Sequence, residues 1–261
     1  GCSATVEPLS TVGEFLVGRE QPGGDPREYE LVDSRFVREF DIELECPTDD
    51  LINTPREIVQ GRFYDRLHEL IGDNDQTLVF TNTRSGAERV LQTLRERFPD
   101  AYDDANSGCH HGSLSKDRRK EIETGLKDGD LDVVTTSTSL ELGIDMPQLD
   151  MVVQVGSPKS VAALLQRIGR AGHQLGETVA GRVIALDRDE LVECAVMVRK
   201  AEEGFVDRVF IPDNAADVAS QHVYGMAIND VRPEAEIKSI LRRAYPYRNF
   251  DDTEWERLMR Y

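Results

Sequence analysis

The sequence predicts an α/β fold in which a parallel sheet is covered by helices on both faces. From about residue 77 to residue 200, short runs of β-forming residues alternate with helical patterns of roughly ten to fifteen residues. Some runs are apolar throughout, such as residues 77–81 (TLVFT), and strands buried on both faces are typical of parallel sheets. The alternation requires crossover connections, which place helices on the faces of the sheet.

The elements of this sheet are predicted in order along the chain. Apolar and β-branched composition places strands at 77–81, in a short run before His110, and at 132–136, 151–155 and 182–186. A helix follows the first strand, because apolar residues recur at helical spacing from 87 to 98. Ser85 and Glu88 have the spacing of a capping box for it. Further helices are predicted from Ser115 and from Ser160.

Both ends of the chain differ from the alternating region. Residues 40–45 alternate apolar and acidic side chains, as a half-exposed strand does, and Gly204 is followed by helical patterns at about 214–228, 234–244 and 251–261. We expect three parts: a remnant of a preceding domain with a linker (1–28), the sheet domain (29–203), and the start of a small, mainly helical domain (204–261). The missing initiator Met and the stop within a helical pattern predict a piece of a longer protein.

The chain is strongly acidic. It carries 49 acidic residues against 31 basic ones, a net charge of −18, and 25 of the basic residues are Arg. Crowded carboxylates repel one another at low salt, whereas at ~1 M salt the Debye length falls to ~3 Å and the repulsion is screened. We interpret the acidity as a halophilic adaptation; the alternative is an ordinary acidic cytosolic protein. Neither interpretation excludes a nucleic-acid partner.

Composition excludes several classes of protein. Apolar residues make up 39% of the chain, enough for a core. No run approaches the ~18 apolar residues of a membrane span, no signal-peptide pattern begins the chain, and its 4 Cys form no C-x-x-C pair. We expect a soluble, cytoplasmic protein with no membrane partner and no bound structural metal. His110 and His111 are interpreted as turn residues rather than metal ligands.

Polar clusters directly follow four of the predicted strands. Parallel strands end at one edge of their sheet, where ligands of such sheets bind. Hydroxyls and glycine N–H groups there suit phosphate, although any one cluster is also explained by helix capping. Four clusters at one edge favour an anionic ligand. They are residues 81–84, 110–113, 137–139 and 156–159.

The helix predicted from Ser160 has two different faces. An apolar stripe is formed by Val161, Leu164, Leu165 and Ile168. At 100° per residue, Gln166 and Arg170 lie roughly opposite this stripe, and Arg167 flanks them. Gly169 and Gly172 allow another surface to approach. A lone arginine pair usually marks a solvated face, but this setting favours a functional role.

Four segments resemble motifs of superfamily-two helicases. Residues 140–145 (LELGID) and 166–173 (QRIGRAGH) look like motifs V and VI, and residues 77–84 look like motif IV. Residues 3–5 (SAT) look like motif III. His111-Gly112 with Arg119 resembles the block between motifs IV and V. Each motif alone is weak, but the combination is specific.

Within this superfamily, the chain is most similar to the large helicase-related (Lhr) family. The similarity is carried by residues 139–145, by residues 154–158 (QVGSP), and by the region after Gly204, which looks like the start of the Lhr winged-helix domain. The resemblance implies a RecA-like second motor domain at 29–203, a remnant of the first motor domain at 1–28, and a truncated winged-helix domain at 204–261. It covers nearly the whole chain.

The resemblance implies an ATP site shared between two motor domains. Gly143 and Asp145 match positions that face the nucleotide, and Arg170 matches the arginine finger that reaches the γ-phosphate. Such fingers contribute ~10³–10⁵ in rate. Gln166 and Arg167 would support this contact and couple it to domain closure.

Half of an ATPase site is missing from the sequence. There is no G-x-x-x-x-G-K-[ST] loop and no acidic motor motif for magnesium, so the ligands of ATP with Mg are expected from the first motor domain. His173 stands where many relatives have a final Arg in motif VI; it is either nucleotide-facing or structural. We expect the fragment alone to be inactive.

The resemblance also implies contacts to the phosphate backbone of a nucleic acid. The matching residues are Thr83, Arg84, Gly112, Arg119, Ser137 and Thr138. Such contacts position a strand without reading its sequence. The favoured partner is DNA, as a single strand and fork, and DNA repair is the family expectation. The alternatives are an RNA helicase of the same superfamily and a non-catalytic nucleic-acid-binding adaptor.

Overall fold

The computed structural model describes residues 6–33, 39–141, 149–172, 178–229 and 231–260. The chain divides into two units. We call residues 34–206 the sheet unit and residues 1–33 together with 207–261 the helical unit. In the part of the chain that is described, no helix is long and apolar enough to cross a membrane.

The described part of the sheet unit contains a sheet of parallel strands. Their bounds are β1 Glu39–Glu45, β2 Thr77–Phe80, β3 Ser107–His110, β4 Val133–Thr136, β5 Met151–Val155 and β6 Thr178–Ile184. The order is β1-β6-β5-β2-β4-β3, and every adjacent pair is parallel. The predicted α/β class and parallel sheet are confirmed.

Helices cover both faces of this sheet. Helices α2 (Arg56–Gly72) and α3 (Arg84–Arg97) pack on one face, and α4 (Lys116–Asp128), α5 (Val161–Ile168) and α6 (Arg188–Glu202) pack on the other. The strands alternate between the two cores: Val79 joins the first, whereas Leu78 and Phe80 join the second. Burial on both faces explains why the central strands are apolar throughout.

Three details differ from the predictions. Strand β6 spans 178–184 rather than 182–186, because it pairs with β1 over its whole length. Within this strand, Gly181 leaves space for the side chain of Ile168. A Cβ atom added at Gly181 would lie 2.6 Å from that side chain. Helices α2 and α6 have no counterpart among the predicted elements. Helix α3 is capped by Thr83, whose hydroxyl accepts from the Gly86 N–H at 3.0 Å, and not by a Ser85–Glu88 box.

The helical unit packs short helices around an aromatic core. Its helices are α1 (Leu9–Val17), α7 (Ala216–Asn229), α8 (Glu234–Arg242) and α9 (Asp252–Leu258). The core contains Tyr247, Phe250 and Trp255, and the Trp255 indole N–H donates to Glu234 at 2.6 Å. The predicted C-terminal helices are confirmed to within a few residues. The boundaries at 28 and 203 and the winged-helix assignment remain predictions.

Candidate nucleic-acid and nucleotide site

The four predicted polar clusters lie at one edge of the sheet. Strands β5, β2, β4 and β3 are consecutive neighbours and parallel, so their carboxyl ends are side by side. We call this the carboxyl edge. It gathers hydroxyl, amide and guanidinium groups from segments that are up to about 75 residues apart in sequence, as the hydrogen bond from Asn82 to Ser157 illustrates.

At the end of β2, the chain turns into α3 through exposed polar residues. Thr83 caps the helix, and Arg84 is its first residue. Arg84 Nη1 donates to the hydroxyl of Ser113 in the turn after β3. Both residues predicted here to contact phosphate are therefore at the surface.

The turn after β3 is built on a buried histidine. His111 is 4% exposed, its Nδ1 accepts the Ser113 N–H at 3.3 Å, and its Nε2 lies 2.9 Å from Glu88 Oε1. We call Arg84, Glu88, His111 and Ser113 the β3-turn cluster. Gly112 is exposed within it, and a Cβ added there would meet no atom within 4 Å.

His110, at the last position of β3, is also buried, but its ring contacts other segments than that of His111 does. Its Nδ1 lies 2.7 Å from Ser139 Oγ, in the segment after β4, and its Nε2 lies 3.1 Å from Glu123 of α4. Burial lowers the pKa of His110, and the hydrogen bond that its ring donates to Glu123 opposes this in part. The imidazole ring thus joins β3, α4 and the segment after β4.

The remaining predicted contacts line the ends of β4 and α4. Ser137 follows β4 and is buried, whereas Thr138 is exposed. Arg119 is half-buried on α4, and its Nε is enclosed without a hydrogen-bond partner among the described residues.

Arg167 lies inside the sheet unit rather than on a solvated face. It is 4% exposed; Nε is 3.1 Å from Glu141 Oε2, and Nη1 donates to Gln154 Oε1 at 2.8 Å and to Asn82 Oδ1 at 3.2 Å. The guanidinium also lies over the Phe80 ring, 5.5 Å from its centroid. We call Asn82, Glu141, Gln154 and Arg167 the Arg167 cluster.

The angular position of Arg167 on the helix therefore did not predict its burial. At its place on α5 the guanidinium reaches polar groups at the ends of β2, β4 and β5, which compensate the cost of burying its charge. Glu141 and Gln154 lie in segments that carry the family resemblance but were not predicted as site residues. A glutamine inside an otherwise apolar strand was the one available indication of a buried polar contact.

Arg170 lies beyond the end of α5, which corrects its predicted place on the helix. Helix α5 ends at Ile168, and the following turn is closed by bonds from Arg170 N to Arg167 O and from Ala171 N to Ile168 O. Gly172 then takes a φ of 75°, which favours glycine. Arg170 and Gln166 are both half-buried.

Three predicted nucleotide-facing residues, Gly143, Asp145 and His173, lie outside the described residues, as does the motif III segment 3–5. Within the described ranges, no group of three or more His, Cys, Asp or Glu side chains could hold a metal ion.

Comparison with known proteins shows which class of protein this chain resembles. Residues 62–174 match the helicase conserved C-terminal domain. The chain is 46% identical to the ATP-dependent helicase Lhr-Core of Methanothermobacter thermautotrophicus, over 100% of the chain and 30% of that protein. It is 34% identical to the Lhr helicase/uracil glycosylase of Escherichia coli, over 95% of the chain and 18% of that protein.

A solved structure supports the same placement. The Mycobacterium smegmatis helicase Lhr bound to ssDNA and AMP-PNP superposes with a TM-score of 0.87 at 33% identity, over 98% of this chain and 33% of that one. The fold and the matched domain define a RecA-like C-terminal helicase domain. The chain belongs to the Lhr family of helicases, of which it spans about a third of the length or less.

Proposed function

We propose that this chain is the C-terminal motor domain of an ATP-dependent DNA helicase. The observation that carries the proposal is the carboxyl edge, where exposed Thr83, Arg84, Gly112 and Thr138 come from neighbouring parallel strands. The same edge belongs to a chain whose relatives are named ATP-dependent helicases and whose structural relative was solved with ssDNA. The winged-helix resemblance after residue 204 also favours DNA over RNA.

The proposed contacts are to phosphates, because the edge offers hydroxyls, a glycine backbone and guanidinium groups, which bind phosphate without reading the bases. Thr83, Arg84, Gly112, Arg119, Ser137 and Thr138 hold the strand. Unwinding assays of the full-length parent on matched DNA and RNA forks test the substrate. Faster unwinding of the DNA fork is expected, and preference for the RNA fork would contradict this part of the proposal.

For ATP hydrolysis, the chain supplies Arg170 to a nucleotide bound mainly by the first RecA-like domain of the same parent chain. ATP bound with Mg supplies the phosphoryl group there. Arg170 neutralises charge on that group, and Gln166 supports the contact. Arg167 acts from the interior by holding the turn that carries Arg170. Gly143, Asp145 and His173 are proposed to complete the nucleotide side.

Turnover of the full-length parent tests this assignment. Arg170→Ala is expected to lower kcat by ~10³–10⁵, and Arg188→Ala, an exposed arginine at the start of α6, is the control. The isolated chain is expected to show no ATPase activity, since the sequence has no phosphate-cradling loop. ATP hydrolysis by the isolated chain that disappears in Arg170→Ala would contradict the proposal.

We attribute the acidic composition of the chain to adaptation to a salt-rich solvent. The observation that supports this is the net charge of −18, because repulsion among surface carboxylates is screened at high salt. Thermal melting is expected to show loss of the fold at low salt and recovery at molar salt. An unchanged melting temperature would indicate an ordinary acidic protein.

A further inference from the structure

The turn after β3 is held by two residues of α3, on both sides of Gly112. Arg84 contacts the Ser113 hydroxyl, and Glu88 contacts His111 at 2.9 Å. Arg84 and Glu88 are four residues apart, so they project from the same side of α3. The turn and the helix are thus joined at two points that flank an exposed glycine.

The geometry fixes the proton of His111. Because Nδ1 accepts the backbone N–H of Ser113, the proton of the neutral ring is on Nε2 and is donated to Glu88. The His111 side chain is 5% exposed, so its bond to the backbone is shielded from water. The Glu88 side chain is 60% exposed, so its carboxylate remains hydrated.

We propose that His111 and Glu88 are positioning residues for phosphate binding at the carboxyl edge. The inference rests on the proposed function of Arg84 and Gly112. Through the Ser113 backbone, His111 fixes the hydroxyl that Arg84 contacts, and Glu88 fixes the ring. A guanidinium held in place before the ligand arrives loses less side-chain entropy when it binds a phosphate.

Strand affinity of the 261-residue chain tests this role. Fluorescence anisotropy with a fluorescein-labelled oligothymidylate is compared for the unmodified chain, His111→Ala and His111→Asn. The Asn carboxamide oxygen can accept the N–H two residues on, as Nδ1 does, but cannot reach Glu88 in the same way. We expect roughly 10-fold weaker binding for His111→Ala and recovery of most of the affinity in His111→Asn. His222→Ala, an exposed histidine of α7, and Glu96→Gln, at the far end of α3, are the matched controls.

The outcomes separate the inference from the function on which it rests. If the unmodified chain does not bind the oligonucleotide, the proposed function of this edge fails as well. If it binds and a folded His111→Ala variant binds equally well, or His111→Asn is as weak as His111→Ala, the positioning role is overturned. Should His111→Ala not fold, Ser113→Ala decides, because it removes only the hydroxyl that Arg84 contacts. Unchanged affinity in Ser113→Ala would then overturn the proposal.

Discussion

The Arg167 cluster and the β3-turn cluster both hold an arginine through side chains, yet one is interior and the other is at the surface. Arg167 is 4% exposed, and its guanidinium contacts groups at the ends of three strands. Arg84 is exposed and contacts a single serine hydroxyl. An arginine enclosed by its own fold stabilises the loops around it, whereas an exposed one keeps donors available for a ligand. The two clusters should therefore respond differently to substitution.

The largest expected effect is the loss of stability on replacing Arg167. Arg167→Met removes the cation beside Glu141, whose side chain is only 16% exposed, and leaves Gln154 and Asn82 without their donor. Breaking a buried pair in this way costs about 3–5 kcal/mol in the free energy of unfolding. Urea denaturation measures it, with the exposed Arg188→Met as the control. A loss of under ~1 kcal/mol would contradict the structural role of this cluster.

Replacing Arg84 is expected to lower the affinity for a nucleic-acid strand and to leave stability nearly unchanged. Arg84→Ala is expected to change the free energy of unfolding by no more than ~0.5 kcal/mol, because the residue is exposed. Oligothymidylate affinity should fall roughly 10-fold, and the slope of log affinity against log salt should fall by ~1. Arg199→Ala, an exposed arginine on α6, is the control. If stability falls and affinity does not, the contrast between the two clusters is wrong.

A smaller effect is expected from His110, which combines burial with a position at the carboxyl edge. Burial lowers the pKa of His110 in the folded state, and the contact with Glu123 opposes this shift. Electrostatic interactions with Arg119 and His111 also lower the pKa. The stabilising contribution of the neutral ring is present above the unfolded pKa of ~6.5 and is lost as pH falls through the lower folded pKa.

Unfolding free energies measured between neutral and mildly acidic pH test the sign of this dependence. We expect stability to decrease toward acid and the decrease to be shallower in His110→Gln. His222→Gln, exposed on α7, should leave the slope unchanged. A slope that is identical in the unmodified chain and His110→Gln would show that His110 contributes nothing to it.

The smallest expected effect is that of a methyl group on the exposed turn. Gly112 has space for a Cβ and no positive φ, so Gly112→Ala should alter the free energy of unfolding by only a few tenths of a kcal/mol. If a phosphate approaches this backbone, the methyl group should weaken oligothymidylate binding by about 3-fold. The control is Gly72→Ala, because a Cβ added at this position, at the end of α2, meets no atom within 4 Å. Gly129→Ala is unsuitable, because the φ of Gly129 is 80° and favours glycine. Equal affinity would remove Gly112 from the proposed contacts.

Much of this fold was predictable because its signals are local. Strand composition located β2, β4 and β5 to within a residue or two, and Ser115 and Ser160 marked the starts of α4 and α5. Prediction failed where the local sequence allowed two arrangements and a tertiary contact decided between them, as at the start of α3. Glu88 has the spacing of a capping-box residue but contacts His111 instead, while Thr83 caps α3.

The sequence by itself determined the parallel α/β class, the placement of four polar clusters at strand ends, and the motif series that indicates an Lhr helicase domain. The class and the clusters follow from periodicity and composition, which act between residues close together in the chain, whereas the motif series rests on a resemblance to a known family. Only the tertiary structure decided that Arg167 is interior, that Arg170 lies beyond α5, and that α3 holds the turn after β3. Those outcomes depend on which strand ends become neighbours in the sheet, because a buried charge is stable only where distant segments supply its partners.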